Sequence, residues 1–239
     1  MPLQISIITV NLNNNKGLKD TLQSIKNQSF KSYEHIIIDG GSIDDSKETI
    51  LEYCQANTHV TFWISEKDKG IYNAMNKGIF HTNGEYLLFL NSGDYLEPEI
   101  LSRISEQLID EDIIYGDLYF VSKKGERWLK RFNYHTLSAS AVLSPDFFIP
   151  HPASFIRKSL FEKEQYNEQY KIVSDWAFFI EKIILENRTT KHIPYAISNF
   201  SDGGVSSKEE NKKLINQEKE DVLHKLFPDK VLESINRVC

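Results

Sequence analysis

The sequence predicts an α/β fold built on a mostly parallel, Rossmann-like central sheet with helices on both faces. Two observations support this prediction. Residues 5–10 and 33–39 are rich in β-branched apolar residues on both faces, as in strands that are buried on both sides. Each is followed by a segment with helical spacing of apolar residues, for example Leu18, Leu22 and Ile25. Strands and helices that alternate in this way form parallel sheets.

The predicted alternation of strands and helices continues to about residue 110. Further strands are expected at residues 59–65 and 84–90, and helices at residues 47–54, 70–82 and 98–109. Pro98 suits the first turn of the last of these helices. From residue 112 the pattern changes: strands are expected at 112–121 and 125–132, and a Pro- and Phe-rich stretch at 144–155 interrupts the periodicity.

The last part of the chain predicts two helices and one strand. A helix is expected at residues 174–187, with Ser174 as a candidate N-cap, and a strand at 191–200. Residues 208–227 form an amphipathic pattern in which Ile215, Val222 and Leu226 share a face. This pattern favours a helix docked on the core over a helix that lies on a membrane surface.

The composition of the chain limits the classes of function that we expect for it. The chain has 239 residues, of which 40% are hydrophobic and 26% charged, so it can bury a sizeable core. The net charge is -6, and we find no basic block that would follow a phosphate backbone, so we expect no nucleic-acid partner. Two cysteines, Cys54 and Cys239, give neither a disulfide framework nor a metal motif. Because the N-terminus lacks a positively charged start and no apolar run reaches about 18 residues, we expect neither a cleavable signal nor a membrane span.

Polar residues follow three of the predicted strands, at residues 9–11, 39–41 and 91–94. Open parallel sheets bind ligands beyond the carboxyl ends of their strands. Asp39 could accept two hydrogen bonds from a base or ribose edge, and Gly40 and Gly41 would let the main chain approach a ligand. On the residues alone, a plain turn explains this stretch equally well.

No glycine-rich phosphate motif follows the first strand, neither a dinucleotide cradle nor a P-loop. A diphosphate would therefore need another source of positive charge. Asp94 stands at the end of a buried strand, and Mg²⁺ or Mn²⁺ commonly uses one or two protein carboxylates together with phosphate oxygens and water. The sequence thus predicts a Mn²⁺ or Mg²⁺ ion at Asp94.

Three stretches resemble the N-terminal half of family 2 glycosyltransferases, which are inverting nucleotide-sugar enzymes with a GT-A fold. They are "ISIITVNLNNNKGLKDTLQSIKNQSFKSYEHIIIDGGSIDDS", "EKDKGIYNAMNKGI" and "NGEYLLFLNSGDYLEP". Further along, "HPASFIRKSLF", "VSDWAFF" and "GGVSS" are similar to shorter signatures of bacterial members that build surface polysaccharides. The resemblance implies a GT-A fold with an acceptor-side region of strands and loops and with C-terminal helices.

The resemblance also implies the donor site. Eight residues would bind the nucleotide sugar: Thr9, Asn11, Asp39, Asp68, Gly70, Asn76, Asn91 and Ser92. Asp39 would bind the base, which is uracil or its equivalent, and Asp68 would lie near base and ribose. Asp94 would be the metal ligand. Asn91 stands where many members have an additional Asp, so the metal would be held more weakly or by more water.

On the acceptor side, Asp175 matches the catalytic base of the family. Inversion requires a carboxylate that takes the proton of the acceptor hydroxyl as it attacks the anomeric carbon. On the residues alone, an interaction with the helix dipole explains an acid in a first helical turn better. His151 could contact the diphosphate or the acceptor, or make a structural hydrogen bond. Trp176 could stack on a sugar, although a core position is more common.

We therefore expect one GT-A domain over residues 1–239, with the nucleotide-sugar half at 1–98 and the acceptor half at 99–239. It would transfer a sugar from a nucleoside-diphosphate donor, with UDP as the expected nucleotide. The acceptor would be a hydroxyl of a glycan or lipid-linked oligosaccharide in cell-surface polysaccharide synthesis. The expected location is the cytoplasm, with peripheral association at the inner face of the plasma membrane.

Two alternatives remain open at this point. A nucleotide-sugar-binding protein with impaired turnover is suggested by the single carboxylate in residues 91–94. A sugar nucleotidyltransferase would share the broad architecture. That class needs a Gly- and Arg-rich phosphate loop after the first strand, and residues 11–17 lack it.

Overall fold

The computed structural model describes residues 3–132 and 148–236, with side chains up to residue 232. Residues 144–147 of the Pro- and Phe-rich stretch, and Cys239, lie outside these ranges. The strands are β1 (Ile5–Asn11), β2 (Tyr33–Asp39), β3 (Val60–Ser65), β4 (Tyr86–Phe89), β5 (Tyr95–Leu96), β6 (Ile113–Val121), β7 (Arg127–Lys130), β8 (Ser154–Arg157) and β9 (Thr190–Ser201). The α-helices are α1 (Asn15–Lys26), α2 (Ser46–Ala56), α3 (Ile71–Phe80), α4 (Ile100–Ile104), α5 (Ser174–Ile180), α6 (Lys212–Leu226) and α7 (Asp229–Asn236).

One sheet runs through both halves of the chain, in the order β3-β2-β1-β4-β8-β6-β9-β5, with β7 paired to β6. β1, β2, β3 and β4 are parallel, and every residue of β1, β2 and β4 is buried, which confirms the prediction of strands covered on both faces. The second half mixes directions, because β8 is antiparallel to both β4 and β6.

These pairings fix which strand ends lie together. β4 and β6 are both antiparallel to β8, so they run in the same direction. Because β4 is parallel to β1, β6 also runs in the direction of β1. The ends of β1, β2, β4 and β6 therefore lie at one edge of the sheet, which we call the carboxyl edge. β9 is parallel to β6 and ends there too, with Ser201 opposite Val121.

The first helices match the prediction. α1 buries Leu18, Leu22 and Ile25 against the sheet, and the side chain of Asn14 caps it by accepting a hydrogen bond from the main-chain N–H of Gly17. The helix predicted at residues 98–109 is shorter than expected. Its α-helical part is confined to α4 and is followed by a 3₁₀ turn at Ser105–Gln107, and Leu108 after this turn is buried together with Ile100, Leu101 and Ile104.

The prediction of Ser174 as an N-cap is wrong. Val173 occupies the capping position without a side-chain hydrogen bond, and Ser174 is already inside α5 with a buried hydroxyl. The predicted helix at 174–187 is α-helical only to Ile180 and continues as a π-helical turn, Glu181–Leu185. π-Helical turns of this kind insert one extra residue per turn and are common near functional sites.

The C-terminal amphipathic segment docks on the core, as predicted. In α6, Val222 is buried, and Ile215 and Leu226 pack against the main hydrophobic cluster. The same helix also buries a carboxylate, that of Glu218. No helix within residues 3–132 and 148–236 is long and apolar enough to cross a bilayer.

Candidate active site

Asp39 lies at the end of β2 and is hydrogen-bonded through both carboxylate oxygens. Oδ1 accepts from Asn11 Nδ2 (2.7 Å) and from the Ser42 hydroxyl (2.6 Å), and Oδ2 accepts from the Ser42 main-chain N–H (3.0 Å) and the Ser65 hydroxyl (2.7 Å). Burial alone would raise the pKa of Asp39, but these hydrogen bonds together lower it. The carboxylate is ionised and all of its acceptor positions are used. A base could reach it only if a serine hydroxyl rotated away.

Thr9 lies in β1 with its side chain buried. Its hydroxyl is 2.9 Å from Nε2 of His35, and the other ring nitrogen of His35 is 3.3 Å from the Tyr53 hydroxyl. Burial lowers the pKa of His35 to about 3, so the ring is neutral. The Thr9 hydroxyl is therefore engaged inside the fold, and any contact of Thr9 with a nucleoside would have to come from its main chain.

Asp68 lies beside the loop that follows β2. A Cβ atom on Gly40 would be 3.1 Å from Asp68 Oδ2, so the loops after β2 and β3 meet here. Lys77 pairs with Asp68 (2.5 Å) and with Glu66 (2.7 Å). Gly70 precedes α3 with φ at 143°, a backbone conformation that favours glycine. Asp68 thus lies next to the loop that follows Asp39.

Asn76 lies on the opposite side of α3 from that loop, against the second half of the chain. Its amide donates to the carbonyl of Tyr166 (2.8 Å) and accepts from the main-chain N–H of Tyr166 (3.0 Å). The side-chain nitrogen of Asn76 also donates a hydrogen bond to a carboxylate oxygen of Glu168 (3.2 Å). The amide joins α3 to the acceptor half, and its hydrogen-bonding groups are engaged there.

Residues 91–94 form a tight turn against α1. Asn14 Nδ2 donates to the carbonyl of Ser92 (2.8 Å), and Gly93 has φ at 105°. The hydroxyl of Thr21 accepts from the Gly93 N–H (3.0 Å) and lies 2.7 Å from the carbonyl of Asp94. Thr21 is the organising side chain of this turn, and the sequence analysis missed it. Its signal was a polar residue next to Leu22 on the buried face of α1.

Asp94 is only 5% exposed. Its Oδ1 accepts one hydrogen bond, from the main-chain N–H of Ser201 (3.1 Å), and Ser201 Oγ donates to the carbonyl of Gly93 (2.5 Å). Burial raises the pKa of Asp94 to about 7, and the bond from Ser201 offsets this only in part. Among the described ion pairs none involves Asp94.

A divalent cation fits this turn. The carboxylate of Asp94 has an unshared oxygen, and Asn91 Oδ1 is buried without a hydrogen-bond partner in the same turn. Both are hard oxygen ligands of the kind that Mg²⁺ and Mn²⁺ prefer. The described residues contain no group of three or more acidic, His or Cys side chains that could hold a metal. Water and diphosphate oxygens would therefore complete the coordination.

Asp175 lies in the first turn of α5 and is 28% exposed at its side chain. The hydroxyl of Tyr72 is 2.7 Å from Asp175 Oδ1 and 2.6 Å from the carbonyl of Ile172, so its one proton serves either acceptor. Nδ1 of His151 is 3.9 Å from Asp175 Oδ2. The carboxylate is held on one side and open to solvent on the other, which suits a group that must receive a proton.

His151 connects this carboxylate to the end of β4. Its ring stacks on Phe89, with centroids 4.8 Å apart, and its Nε2 is 2.7 Å from the Tyr166 hydroxyl. Burial lowers the pKa of His151, and the charge of Asp175 opposes this only in part. These contacts match the structural hydrogen-bond interpretation. Trp176 is buried as well, with Lys219 Nζ 5.1 Å from the ring centre, so its position is that of a core residue.

Glu218 of α6 organises the chain that leads into α5. Its carboxylate accepts from three consecutive main-chain N–H groups, those of Lys171 (2.7 Å), Ile172 (3.0 Å) and Val173 (3.3 Å). Asp175 follows two residues later. The sequence analysis missed Glu218, although an acid between Ile215 and Val222 on the apolar face of a helix was a visible signal.

One cavity lies away from the predicted site residues. Its volume is about 540 Å³, and it lies between α1 and β5, where Gln23, Asn27, Tyr95 and Arg127 are among its lining residues. None of the predicted site residues lines it. The chemistry of the carboxyl edge, and not cavity size, locates the candidate site.

Comparisons with solved structures define the class of fold. The structure resembles Staphylococcus aureus TarS 1-349 with a TM-score of 0.66 at 19% sequence identity, covering 83% of this chain and 60% of that one. It also resembles a mannosyltransferase from Pyrobaculum calidifontis in complex with GDP-Man and Mn²⁺, with a TM-score of 0.63 at 13% identity, over 85% of this chain and 58% of that one. The fold is therefore of the GT-A type. The chain spans about three fifths of the length of these two proteins.

The model of glycosyl transferase family 2 matches residues 6–165, so the chain belongs to this family and is a glycosyltransferase. A glycosyltransferase of Mycobacterium tuberculosis is 31% identical over 210 residues, which is 86% of this chain and 78% of the relative. A PGL/p-HBAD biosynthesis glycosyltransferase of Mycobacterium bovis is 28% identical over 208 residues, or 84% of this chain and 78% of the relative. Asp175 and Glu218 lie beyond the residues that the family model matches.

Proposed function

We propose that the protein transfers a sugar, with inversion, from a nucleoside-diphosphate donor to a hydroxyl of a glycan or lipid-linked acceptor. One observation carries this proposal: two carboxylates are connected to the end of β4. Asp94 follows the strand in sequence, and Asp175 approaches it through His151, which stacks on Phe89. A single displacement needs one group on the leaving side and one on the attacking side.

Asp175 is the proposed general base. The oxygen of the acceptor hydroxyl attacks the anomeric carbon, the bond from that carbon to the phosphate oxygen breaks, and the nucleoside diphosphate leaves with the bonding electrons. Asp175 takes the hydroxyl proton, and Tyr72 steadies the carboxylate from the side facing the protein. Partial exposure of Asp175 supports this role, because an acceptor must reach it from solvent.

Asp94 and Asn91 are the proposed ligands on the leaving side. When bound there, Mn²⁺ or Mg²⁺ would supply the positive charge that stabilises the departing diphosphate. UDP is the proposed nucleotide, and the loops that carry Asp39 and Asp68 are its proposed binding site. The solved structures of TarS include complexes with UDP and UDP-GlcNAc, whereas the Pyrobaculum enzyme was solved with GDP-Man.

The acceptor is proposed to be a glycan or lipid-linked oligosaccharide in cell-surface polysaccharide synthesis. The relative named for PGL/p-HBAD biosynthesis is consistent with an acceptor of this kind. Asn76 of α3 is hydrogen-bonded to the main chain of Tyr166, and the Tyr166 hydroxyl lies 2.7 Å from His151, which stacks on Phe89.

Calorimetry with UDP-, GDP- and dTDP-sugars, with and without Mn²⁺, tests the donor. We expect a UDP-sugar to bind and Mn²⁺ to strengthen the binding. Release of nucleoside diphosphate is then compared between the wild type and Asp175→Asn. Loss of the base should lower turnover by about 100-fold or more, with donor binding unchanged. Asp110→Asn, at an exposed position ahead of β6, is a matched carboxylate control.

If no sugar nucleotide binds, the proposal is wrong. If a donor binds but neither the wild type nor any variant releases nucleoside diphosphate, the protein is a nucleotide-sugar-binding protein. Unchanged turnover in Asp175→Asn would remove Asp175 from the role of base.

A further inference from the structure

The hairpin that joins β6 to β7 concentrates positive charge. Within residues 123–131 there are five basic side chains and one acidic one: Lys123, Lys124, Arg127, Lys130, Arg131 and Glu126. Five basic residues less one acid give this segment a charge of +4, whereas the whole chain carries -6. The hairpin is thus strongly positive on a protein that is acidic overall, so its charge differs from that of the rest of the surface.

The basic side chains of the hairpin are exposed, as is every residue from 123 to 131. Arg127 is partly engaged, since it pairs with Glu97 (2.6 Å) and lies 4.0 Å from the centre of the Tyr119 ring. No ion pair is found for Lys123, Lys124, Lys130 or Arg131 among residues 3–132 and 148–236. These four charges are available to a partner.

Two apolar side chains lie among these charges. Trp128 is 51% exposed and Leu129 is 37% exposed. The Trp128 ring stacks on Phe120, with centroids 5.7 Å apart and an angle of 15°, so it is held in place at the surface. Leu129 lies on the other face of β7, because successive side chains of a strand alternate. The hairpin therefore presents basic and apolar groups together.

A simpler explanation is protection of an edge strand. β7 pairs only with β6 among the described strands, and lysines on an edge prevent pairing with another molecule. Edge protection explains the lysines but not an exposed Trp128, which adds apolar surface where protection would remove it. Tryptophan beside a cluster of Lys and Arg is typical of the interface between water and an anionic bilayer.

We propose that this hairpin docks the protein on an anionic phospholipid bilayer. The basic residues supply attraction to the lipid headgroups, and Trp128 supplies the apolar contact that makes such binding stable. Neither contribution is strong alone, since peripheral membrane binding generally needs two signals. The hairpin has both in nine residues of sequence, from Lys123 to Arg131.

The hairpin lies at the same edge of the sheet as the candidate site. Val121, the last residue of β6, lies opposite Ser201, and the N–H of Ser201 donates to Asp94. The hairpin thus leaves the sheet at the carboxyl edge, so docking would turn that edge toward the bilayer. This orientation would suit a lipid-linked acceptor and in that respect rests on the proposed function. The binding itself does not depend on it.

Co-sedimentation with vesicles tests the proposal. The vesicles are phosphatidylcholine alone, or phosphatidylcholine with roughly one third phosphatidylglycerol. We expect the wild type to bind only the anionic vesicles and to lose most of that binding at about 1 M salt, where charges are screened within about 3 Å. Trp128→Ser should weaken the binding at every salt concentration, because it removes an apolar contact.

The decisive variant carries Lys123→Glu, Lys124→Glu and Lys130→Glu. We expect its vesicle partition coefficient to fall by about 100-fold, from about 1 kcal/mol for each lysine. The matched control carries Lys47→Glu, Lys163→Glu and Lys213→Glu, three exposed lysines outside the hairpin with the same total change of charge. Because glutamate also protects an edge strand, the hairpin variant should stay soluble and folded by circular dichroism.

Failure of the wild type to prefer anionic vesicles would overturn the docking proposal, as would an equal loss in the hairpin and control variants. Donor binding, measured by calorimetry, separates this result from the proposed function. A protein that binds a UDP-sugar but no vesicle refutes only the docking. One that binds vesicles through the hairpin but no sugar nucleotide refutes only the proposed glycosyl transfer from UDP.

Discussion

The main-chain N–H of Ser201 donates a hydrogen bond to the carboxylate of Asp94 over 3.1 Å, across 107 positions of sequence. Ser201 ends β9 in the second half of the chain, whereas Asp94 ends the turn after β4 in the first half. The contact makes the two halves meet at the residue proposed to bind metal. A cation bound at Asp94 would therefore change the hydrogen bond that holds the loop after Ser201.

Asp94→Asn should separate metal binding from folding. Asparagine keeps the acceptor for the Ser201 N–H and removes a buried charge that lacks a cation, so stability without metal should not fall by more than about 1 kcal/mol. The rise in melting temperature produced by Mn²⁺ together with UDP should disappear, because ligand binding stabilises only the form that binds. Thermal unfolding with and without Mn²⁺ measures both effects. Asp20→Asn, an exposed carboxylate on α1, should retain the Mn²⁺ effect in full.

Thr21→Val should loosen the turn at residues 91–94. The substitution keeps the shape of the side chain but leaves the N–H of Gly93 without its acceptor, at a cost of about 1 to 3 kcal/mol in the free energy of unfolding. Urea unfolding measures this loss, and calorimetry should show weaker Mn²⁺-dependent donor binding. Thr58→Val, at an exposed position, is the control and should change neither quantity. Unchanged stability in Thr21→Val would mean that the turn does not depend on this hydroxyl.

Glu218→Gln should lower turnover more than donor binding. The substitution removes the charge that accepts three N–H groups ahead of α5, so Asp175 should lose its fixed position. We expect turnover to fall about tenfold or more, since loss of orientation acts on the chemical step, while the Kd for donor stays within about twofold. Glu220→Gln on the same helix is exposed and serves as the control. Equal losses in the two variants would contradict a positioning role for Glu218.

His35 should make the protein less stable in acid. Its pKa is lowered from 6.5 to about 3 by burial, so the unfolded chain takes up a proton that the folded chain does not. The stabilisation is complete above pH 6.5 and is lost as the pH falls from there toward 3. In this window the free energy of unfolding should fall about 1.4 kcal/mol per pH unit more steeply in the wild type than in His35→Gln. Urea unfolding at a series of pH values measures the slopes, and parallel slopes would show that His35 does not titrate in this way.

Much of the fold of the first half of the chain could be predicted, because the sequence patterns that mark its strands and helices are local. Consecutive apolar residues gave β1, β2 and β4, helical spacing gave α1, and a polar residue after each strand marked the carboxyl edge. The position of Asp94 at the end of β4 followed directly. These patterns depend on neighbours within a few positions, which is the range over which periodicity carries information.

The residues that the sequence analysis missed make hydrogen bonds to residues that are distant in sequence. Thr21 reaches Asp94 across 73 positions, and Glu218 reaches Lys171 across 47. No local pattern encodes such contacts, although each residue was a polar side chain on a buried helix face. The basic hairpin was also missed, because its charges are interrupted by Glu126 and Trp128 and stand out only when β7 is seen to be exposed on both faces.

The most direct test of the account is a crystal structure with a UDP-sugar and Mn²⁺. We predict that Asp94 would hold the Mn²⁺ ion through a carboxylate oxygen beside the diphosphate, with Asp175 on the opposite side of the sugar from the leaving group. A nucleotide bound elsewhere, with no ion beside Asp94 and its carboxylate still bonded only to Ser201, would contradict the central claim.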